Sequence, residues 1–303
     1  MDGVKIPNGF YYVGGTKESG LVISDNYKDE NKYKGQTIVG TDLQGNQFVW
    51  IPVDTIADYK RTAYSTNVST SITDSSTNSE QIKYISSDNT YFIETLPLDE
   101  KTSVETYHGF YIARYEAGDK ESTTNQVMRI DESLAINTVT LKKGQAPYNY
   151  VSRNQAKILA EGMSTKQGYS VTTKLCSSYA WDTAVSFIQK ANSNYGSSSS
   201  YGNYSNTEFD YTVLGSAAIT HKNISDNTLV PTGQTASVCN IFDMGGNCSE
   251  WTTETSSVSN MICTSRGGAY NDSYTAAPAG YRQYSSDSRY NNISFRITLF
   301  MWL

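Results

Sequence analysis

Apolar positions in the first half of the chain come in short bursts separated by turn-forming residues. Phe10-Tyr11-Tyr12-Val13 stops at Gly14-Gly15, and Leu21-Val22-Ile23 stops at Ser24-Asp25-Asn26. Phe48-Val49-Trp50-Ile51-Pro52-Val53 is a continuous apolar run closed by its proline. Short aromatic and β-branched runs between such breakers predict strands, and a run apolar at every position predicts a strand buried on both faces. The stretch Gly109-Phe110-Tyr111-Ile112-Ala113-Arg114-Tyr115-Glu116 predicts another strand, with aromatic alternation. The run from Ile297 to Leu303, interrupted by Thr298, is far too short for a bilayer and reads as a terminal core strand.

The period turns helical in two places. From about Ser152 to Met163, Ser152 stands at a capping position and Ala156, Leu159, Ala160 and Met163 fall on one side. From about Tyr179 to Ala191, Trp181, Ala184, Val185 and Ile188 form one stripe, on which the tryptophan reads as core. Residues 62–90, with Ser65-Thr66-Asn67-Val68-Ser69-Thr70 at their start, carry too little apolar area to bury themselves and predict a long surface loop or insertion. Residues 192–206 are low in complexity, with Tyr195, Tyr201 and Tyr204 among Ser, Gly and Asn. They read as a flexible loop whose residue types also suit the rim of a binding surface. The expected class is α+β: two helices, short antiparallel strands and long loops.

Composition narrows the partners. The chain has 303 residues and a formal net charge of −6, and no Lys/Arg cluster offers the basic face that nucleic acid or an anionic membrane requires. Neither nucleic-acid binding nor direct membrane insertion is expected. The first residues, Met1-Asp2-Gly3, are polar and carry no apolar leader core. The four cysteines, Cys176, Cys239, Cys248 and Cys263, have spacings that fit neither a zinc site nor a dense disulfide framework. Free buried thiols are the simpler reading, with a Cys239–Cys248 pair as the alternative. The two histidines, His108 and His221, read as structural or surface residues.

The C-terminal third carries a pattern. Asn240-Ile241-Phe242-Asp243-Met244-Gly245-Gly246-Asn247-Cys248-Ser249-Glu250-Trp251 resembles the N-x-x-D-M-x-G-N-x-x-E-W block of the formylglycine-generating-enzyme type of C-type-lectin fold. Ser265-Arg266-Gly267-Gly268-Ala269-Tyr270 is similar to its R-G-G segment, Ile293-Ser294-Phe295-Arg296 to its closing I-G-F-R, and Phe110 to Glu116 to its F-x-I-x-x-Y-E strand. Trp181-Asp182 stands where the family starts a helix. The resemblance implies one C-type-lectin-like domain over residues 46–303, with residues 1–45 packed on it as a β extension. The blocks also have local sense. Gly245-Gly246 permits a tight turn in which Asn247 can bond its own backbone. Glu250 and Trp251 should face opposite sides of a strand, with Trp251 inward. Gly267-Gly268 permits close backbone approach, and Arg266 and Arg296 can hold loops through carbonyls or carboxylates.

The fold's namesake is an oxidase, and the resemblance implies that its chemistry needs two cysteines shortly after the R-G-G segment, since soft thiolates suit Cu(I). Here the matching stretch reads Asn-Asp-Ser-Tyr-Thr-Ala-Ala, from Asn271 to Ala277, and no cysteine follows Cys263. Iron-dependent relatives need a histidine cluster, which two isolated histidines cannot supply. No catalytic residue, metal or cofactor is expected.

Residues 269–294 hold no Lys, Glu, Met, Trp, Leu or Cys and are rich in Tyr, Ser, Asn, Asp, Ala and Gly. The stretch resembles the variable region of proteins diversified by retroelements, in which template adenines are randomised. Asn codons of AAY type then give Tyr, Ser, Asp, Thr, Ala or Gly, but never Lys, Glu, Gln, Met, Trp or a stop. Gln283 departs from that set. The expected variable, ligand-contacting residues are Ala269, Asn271, Asp272, Ser273, Tyr274, Tyr281, Tyr284, Ser285, Ser286, Asp287, Tyr290, Asn291 and Asn292, exposed and converging on one side. Pro278, Arg282, Phe295 and Arg296 are expected to point inward. Tyrosine gives large amphipathic contact at small entropic cost, and Ser, Asn and Asp give adaptable hydrogen bonds. The resemblance implies an unknown protein or glycan ligand on a cell or phage-host surface, and a place on a virion tail or bacterial cell surface. The alternatives are an oxidase-related or other enzyme on this fold, and a carbohydrate-binding module independent of calcium, since no E-P-N, Q-P-D or W-N-D triplet occurs.

Overall fold

The computed structural model describes residues 3–65, 67–85, 89–122 and 139–302. The continuous apolar run becomes the strand Gln47–Pro52, third in a six-stranded antiparallel sheet. The order is Tyr11–Gly14, Val22–Ser24, Gln47–Pro52, Gly109–Ala113, Ile297–Phe300 and Thr172–Leu175. Alternation explains why nearly every position is apolar. Phe48 and Trp50 enter one core with the second long helix, whereas Val49 and Ile51 enter another with the third. The N-terminal strands continue this sheet through the pairing Val22↔Val49.

Helix α1 spans Leu98–Tyr107, α2 Arg153–Gln167, α3 Ser178–Gln189 and α4 Tyr195–Ser198. Both expected helices form. Ser152 caps α2 through Gln155 N at 3.3 Å in a reciprocal capping box, and Gly168 closes it in the left-handed region. Ser177 caps α3 by accepting from Ala180 N at 3.1 Å. The other two helices correct the expectation of only two. Helix α1 buries Glu100, Ser103 and Val104, so it shows no apolar stripe to read. Helix α4 is a single turn inside the low-complexity stretch, pinned by buried Tyr195.

The second large sheet runs in the order Arg282–Ser285, Cys263–Arg266, Ser249–Ser256, Tyr91–Glu94, Ser79–Tyr84 and Val68–Asp74, and Ile293–Phe295 lies parallel to the start of Ser249–Ser256. The Ser/Thr-rich stretch is therefore not one long loop. Apart from residues 66 and 86–88, which lie outside the described residues, it holds the hairpin Val68–Asp74 with Ser79–Tyr84. Val68 and Ile82 bury against Phe92 of the neighbouring strand, so the sheet supplies the apolar partner the stretch itself lacks.

Trp181 and Trp251 are both fully buried, and their indole N–H groups donate to Ala279 O and Val151 O, each at 2.9 Å. Cys176, Cys239, Cys248 and Cys263 are all free thiols, and only Cys239 is partly exposed. His108 ends α1 in the left-handed region, and His221 is an exposed partner of Asp210.

A candidate binding face over a buried charged scaffold

In the second sheet the register Glu250↔Arg266↔Arg282 places three charged residues side by side, all fully buried. Arg266 Nη2 donates to Asp182 Oδ1 of α3 at 2.6 Å. Arg282 donates through Nε to both oxygens of Glu254, at 2.9 and 3.2 Å, through Nη2 to Asp182, and through Nη1 to Thr62 O at 3.0 Å. Arg61 completes the cluster, bonded to Glu254, to Ser178 Oγ at 2.8 Å and to Phe92 O at 3.0 Å. Burial opposes charge on Glu254, yet Arg282, Arg61 and Arg266 hold its pKa down at about 2. Nearby Glu94 has no arginine in hydrogen-bond contact. Burial pushes it up to about 7 against the pull of Arg61, while it accepts Ser178 N at 2.8 Å.

A fourth buried arginine, Arg296, joins the two large sheets. Arg296 holds Glu250 with Nε at 2.8 Å and Nη2 at 2.6 Å, and also donates to Ala113 O and Phe242 O, each at 2.9 Å. Asn247 does not bond its own turn. Its side chain donates to Glu116 and to Val230 O at 3.1 Å and accepts from Val230 N at 3.1 Å, so it clamps a distant segment instead. Its carbonyl receives Tyr270 N at 2.9 Å, which seats the start of the stretch expected to vary on this block. Gly268 fixes the return: φ is +64°, and a Cβ there would lie 2.1 Å from Ala277 O. Pro278, Arg282, Phe295 and Arg296 are buried, as expected.

Much of residues 270–292 is held through main-chain atoms. Tyr281 O accepts from Arg266 Nε at 3.1 Å, Asp272 O from Ser205 N and Oγ at 2.8 Å, Arg282 O from Asn67 Nδ2 at 2.6 Å, and Asn291 O from Asn149 Nδ2 at 2.6 Å. Asn271, Asp287 and Asn291 are exposed, and Asp272, Ser273, Tyr274, Tyr281, Tyr284, Ser286, Tyr290 and Asn292 are half-buried. Exposure, expected of all thirteen, is met at three, met only in part at eight and fails outright at two. Ala269 is fully buried, in the turn where its N–H donates to Asp272 Oδ2 at 2.9 Å. Ser285 is buried because it pairs with Cys263 inside the sheet.

The candidates make contacts in two stretches of the chain, which Asn292 links by donating through Nδ2 to Asn271 Oδ1 at 3.5 Å. Tyr284 faces the hairpin core, 5.7 Å from the Tyr84 ring and 6.3 Å from Phe92. Tyr281 lies in the field of Tyr84, Asp272 and Tyr284, which adds to burial in raising its pKa. Tyr274 packs 6.2 Å from Tyr204, with its N–H on Asn206 Oδ1 at 3.2 Å. The second stretch is residues 286–291. There Tyr290 lies 6.0 Å from Trp251 and bonds Ser286 at 2.8 Å, Asn291 reaches Tyr270 Oη at 3.3 Å, and Asp287 Oδ1 accepts Asn154 N of α2 at 3.2 Å. Tyr84, Asn67 and Asn206 are neighbours of the face that the local pattern could not reveal, because they approach it only through the fold. Gln283 is exposed.

Burial raises the pKa of all four thiols, most strongly for Cys176 and Cys248, so none is primed as a thiolate. Among the described residues no group of three His, Cys, Asp or Glu is disposed to hold a metal ion, and no helix is long and apolar enough to cross a membrane.

The sulfatase-modifying factor enzyme 1-like domain model matches residues 99–299, and the chain belongs to that family. Its fold is the C-type-lectin-like α+β fold of the formylglycine-generating type, built on the blocks described above. Among solved structures, PvdO from Pseudomonas aeruginosa is similar at 16% identity, over 77% of this chain and 98% of that one, with a TM-score of 0.42. CarF is similar at 14% identity over 64% of this chain and 87% of its own, also at 0.42. Treponema denticola variable protein 1 is similar at 13% identity over 84% and 96%, at 0.40. No curated protein matches the chain significantly.

Proposed function

We propose that this chain is a non-catalytic ligand- or receptor-binding protein that displays a surface diversified by a retroelement. The observation that carries the reading is the division of labour in residues 270–292. Buried Arg266 and the side chains of Asn67, Ser205 and Asn149 hold its main chain, while Asn271, Asp287 and Asn291 are exposed and Ser273, Tyr274 and Tyr281 are half-buried. A main chain held this way keeps its course when exposed side chains change, which is what a paratope on a rigid scaffold requires. The residue types fit adaptable recognition of a protein or glycan on a cell or phage-host surface. The raised thiol pKa values and the non-cysteine residues at Asn271 to Ala277 favour binding over thiol oxidation. The test is the flanking DNA. The reading expects a near-copy of the segment encoding residues 266–296, with adenines at the variable codons, beside a reverse transcriptase gene. A locus with neither overturns the retroelement.

A further inference from the structure

Apart from Ile293–Phe295, where Phe295 O accepts Ala117 N at 2.9 Å, the two large sheets have four outer strands among the described residues, and three are met by other parts of the chain. Tyr11–Gly14 is flanked by Asn31 and Tyr33, whose N–H groups donate to Tyr12 O at 2.7 Å and Val13 O at 2.9 Å. Thr172–Leu175 is covered by α2, where Ser164 N donates to Thr173 Oγ1 at 2.9 Å. The Arg282 carbonyl of Arg282–Ser285 is taken by Asn67. The fourth, Val68–Asp74, is different. Beyond its hairpin partner, among the described residues its main chain makes one hydrogen bond, from Val68 N to Ser65 O at 3.5 Å. Thr70, Ser71, Ile72 and Thr73 are exposed in succession, and Ile72 is 51% exposed.

Proteins usually blunt such an edge with lysine, proline, short length or a bulge. This strand has seven residues, no Lys, Arg or Pro, and a single irregularity near its start, between Val68 and Ser71. Its one charged residue is Asp74. The chemistry of an open strand edge selects another extended strand, because only that satisfies its row of N–H and C=O groups.

We propose that this edge pairs, antiparallel about Ser71, with the same edge of a second copy of the chain. Ser71 then faces its own counterpart, Thr70 faces Ile72, Ser69 faces Thr73 and Val68 faces Asp74. The register opposes no like charges and sets β-branched side chains against one another. Such an interface is isologous and closes at two copies. A single ladder buries little area, so the dimer is weak and concentration-dependent. The hairpin contacts the variable strand through Asn67–Arg282 and Tyr84–Tyr284, so pairing carries two variable faces close together. That consequence, and the gain in avidity it gives, rests on the proposed binding function; the dimer itself does not.

Sedimentation equilibrium of the full chain, across about a hundredfold range of concentration, tests the dimer. The expected mass rises from 33.5 kDa towards twice that value. Ile72→Lys and Thr70→Lys should each hold it at the monomer value while leaving the circular dichroism spectrum and Tm unchanged. If Ile72→Lys disturbs folding, Thr70→Lys carries the test alone. Amide exchange should slow across Thr70–Thr73 as concentration rises. A mass of 33.5 kDa throughout, a dimer that persists in both lysine variants, or no change in exchange there each overturns the proposal. Failure of the dimer leaves the reading of the variable face standing, because that reading is tested at the DNA locus.

Discussion

Replacing Arg282 with Met should cost about 4 kcal/mol of stability. The substitution keeps length and removes three kinds of bond in a fully buried site. Asp182 keeps Arg266 and the Thr62 N–H, and Glu254 Oε1 keeps Arg61. Glu254 Oε2 and the Thr62 carbonyl keep nothing of comparable quality: the nearest other cation to that oxygen, Arg266 Nη1, is 3.9 Å away. Two orphaned buried acceptors at roughly 1–3 kcal/mol each give about 2–6, and breaking a buried ion pair costs about 3–5. Arg282→Lys separates charge from geometry. One ammonium cannot span Asp182, Glu254 and Thr62, so about half the loss should remain. Urea titration reads the change as a shift in midpoint at constant slope. Glu254 adds a pH signature. Its pKa is depressed, so its stabilisation is present above about 4.5 and is lost as pH falls towards about 2. Without Arg282 the acid unfolding limb should move to higher pH. A loss below about 1 kcal/mol, or an unmoved acid limb, refutes the view that this cluster holds the edge strand.

Glu94 should behave in the opposite sense. Its folded pKa of about 7 lies above the unfolded value, so folding takes up a proton and its contribution falls as pH rises from about 4.5 to 7. Glu94→Gln should therefore gain on the parent at pH 8 and lose that advantage at pH 5, read by thermal melts; a loss at pH 8 contradicts the direction. Trp181→Ala and Trp251→Ala should each cost about 3–5 kcal/mol in denaturant titrations, and a value below about 1 would contradict their burial. Tyr281→Ser should cost less than about 1 kcal/mol, whereas Tyr284→Ser should cost about 1–2 because its ring closes the Val68, Ile82 and Phe92 core. Equal costs would show that Tyr284 is no more structural than Tyr281.

The sequence foretold those parts of the fold whose signals are local. The strand Gln47–Pro52 and helices α2 and α3 follow from alternation, stripe and cap. Helix α1 escaped because its buried side includes Glu100 and Ser103, which bond to or pack on other elements and leave no periodic trace. The hairpin in the Ser/Thr-rich stretch escaped because its apolar partner, Phe92, is contributed by another strand. Within the stretch expected to vary, composition could mark the region but not rank its positions. Ala269 and Tyr281 read alike as members of a permissive set, and only the fold shows that one is fully buried, in the turn closed by Asp272, while the other is half-buried.

The ranking has a physical consequence for how such a stretch tolerates change. Where the fold uses only the main chain, as at Tyr281, any residue that can adopt the backbone angles preserves the bond. Where the fold uses the side chain, as at Asp272 on Ala269 N or Asp287 on Asn154 N, a change removes a hydrogen bond worth about 1 kcal/mol net. Diversity can therefore be broad at the first kind of position and carries a stability cost at the second. The costs are bounded because the heaviest connections, through Arg282 and Arg296, fall on residues outside the expected variable set and beneath the surface. With total stability of only about 5–15 kcal/mol, several simultaneous changes at side-chain-anchored positions would consume much of the margin, whereas changes at positions held only through the main chain, such as Tyr281, would leave the fold nearly untouched.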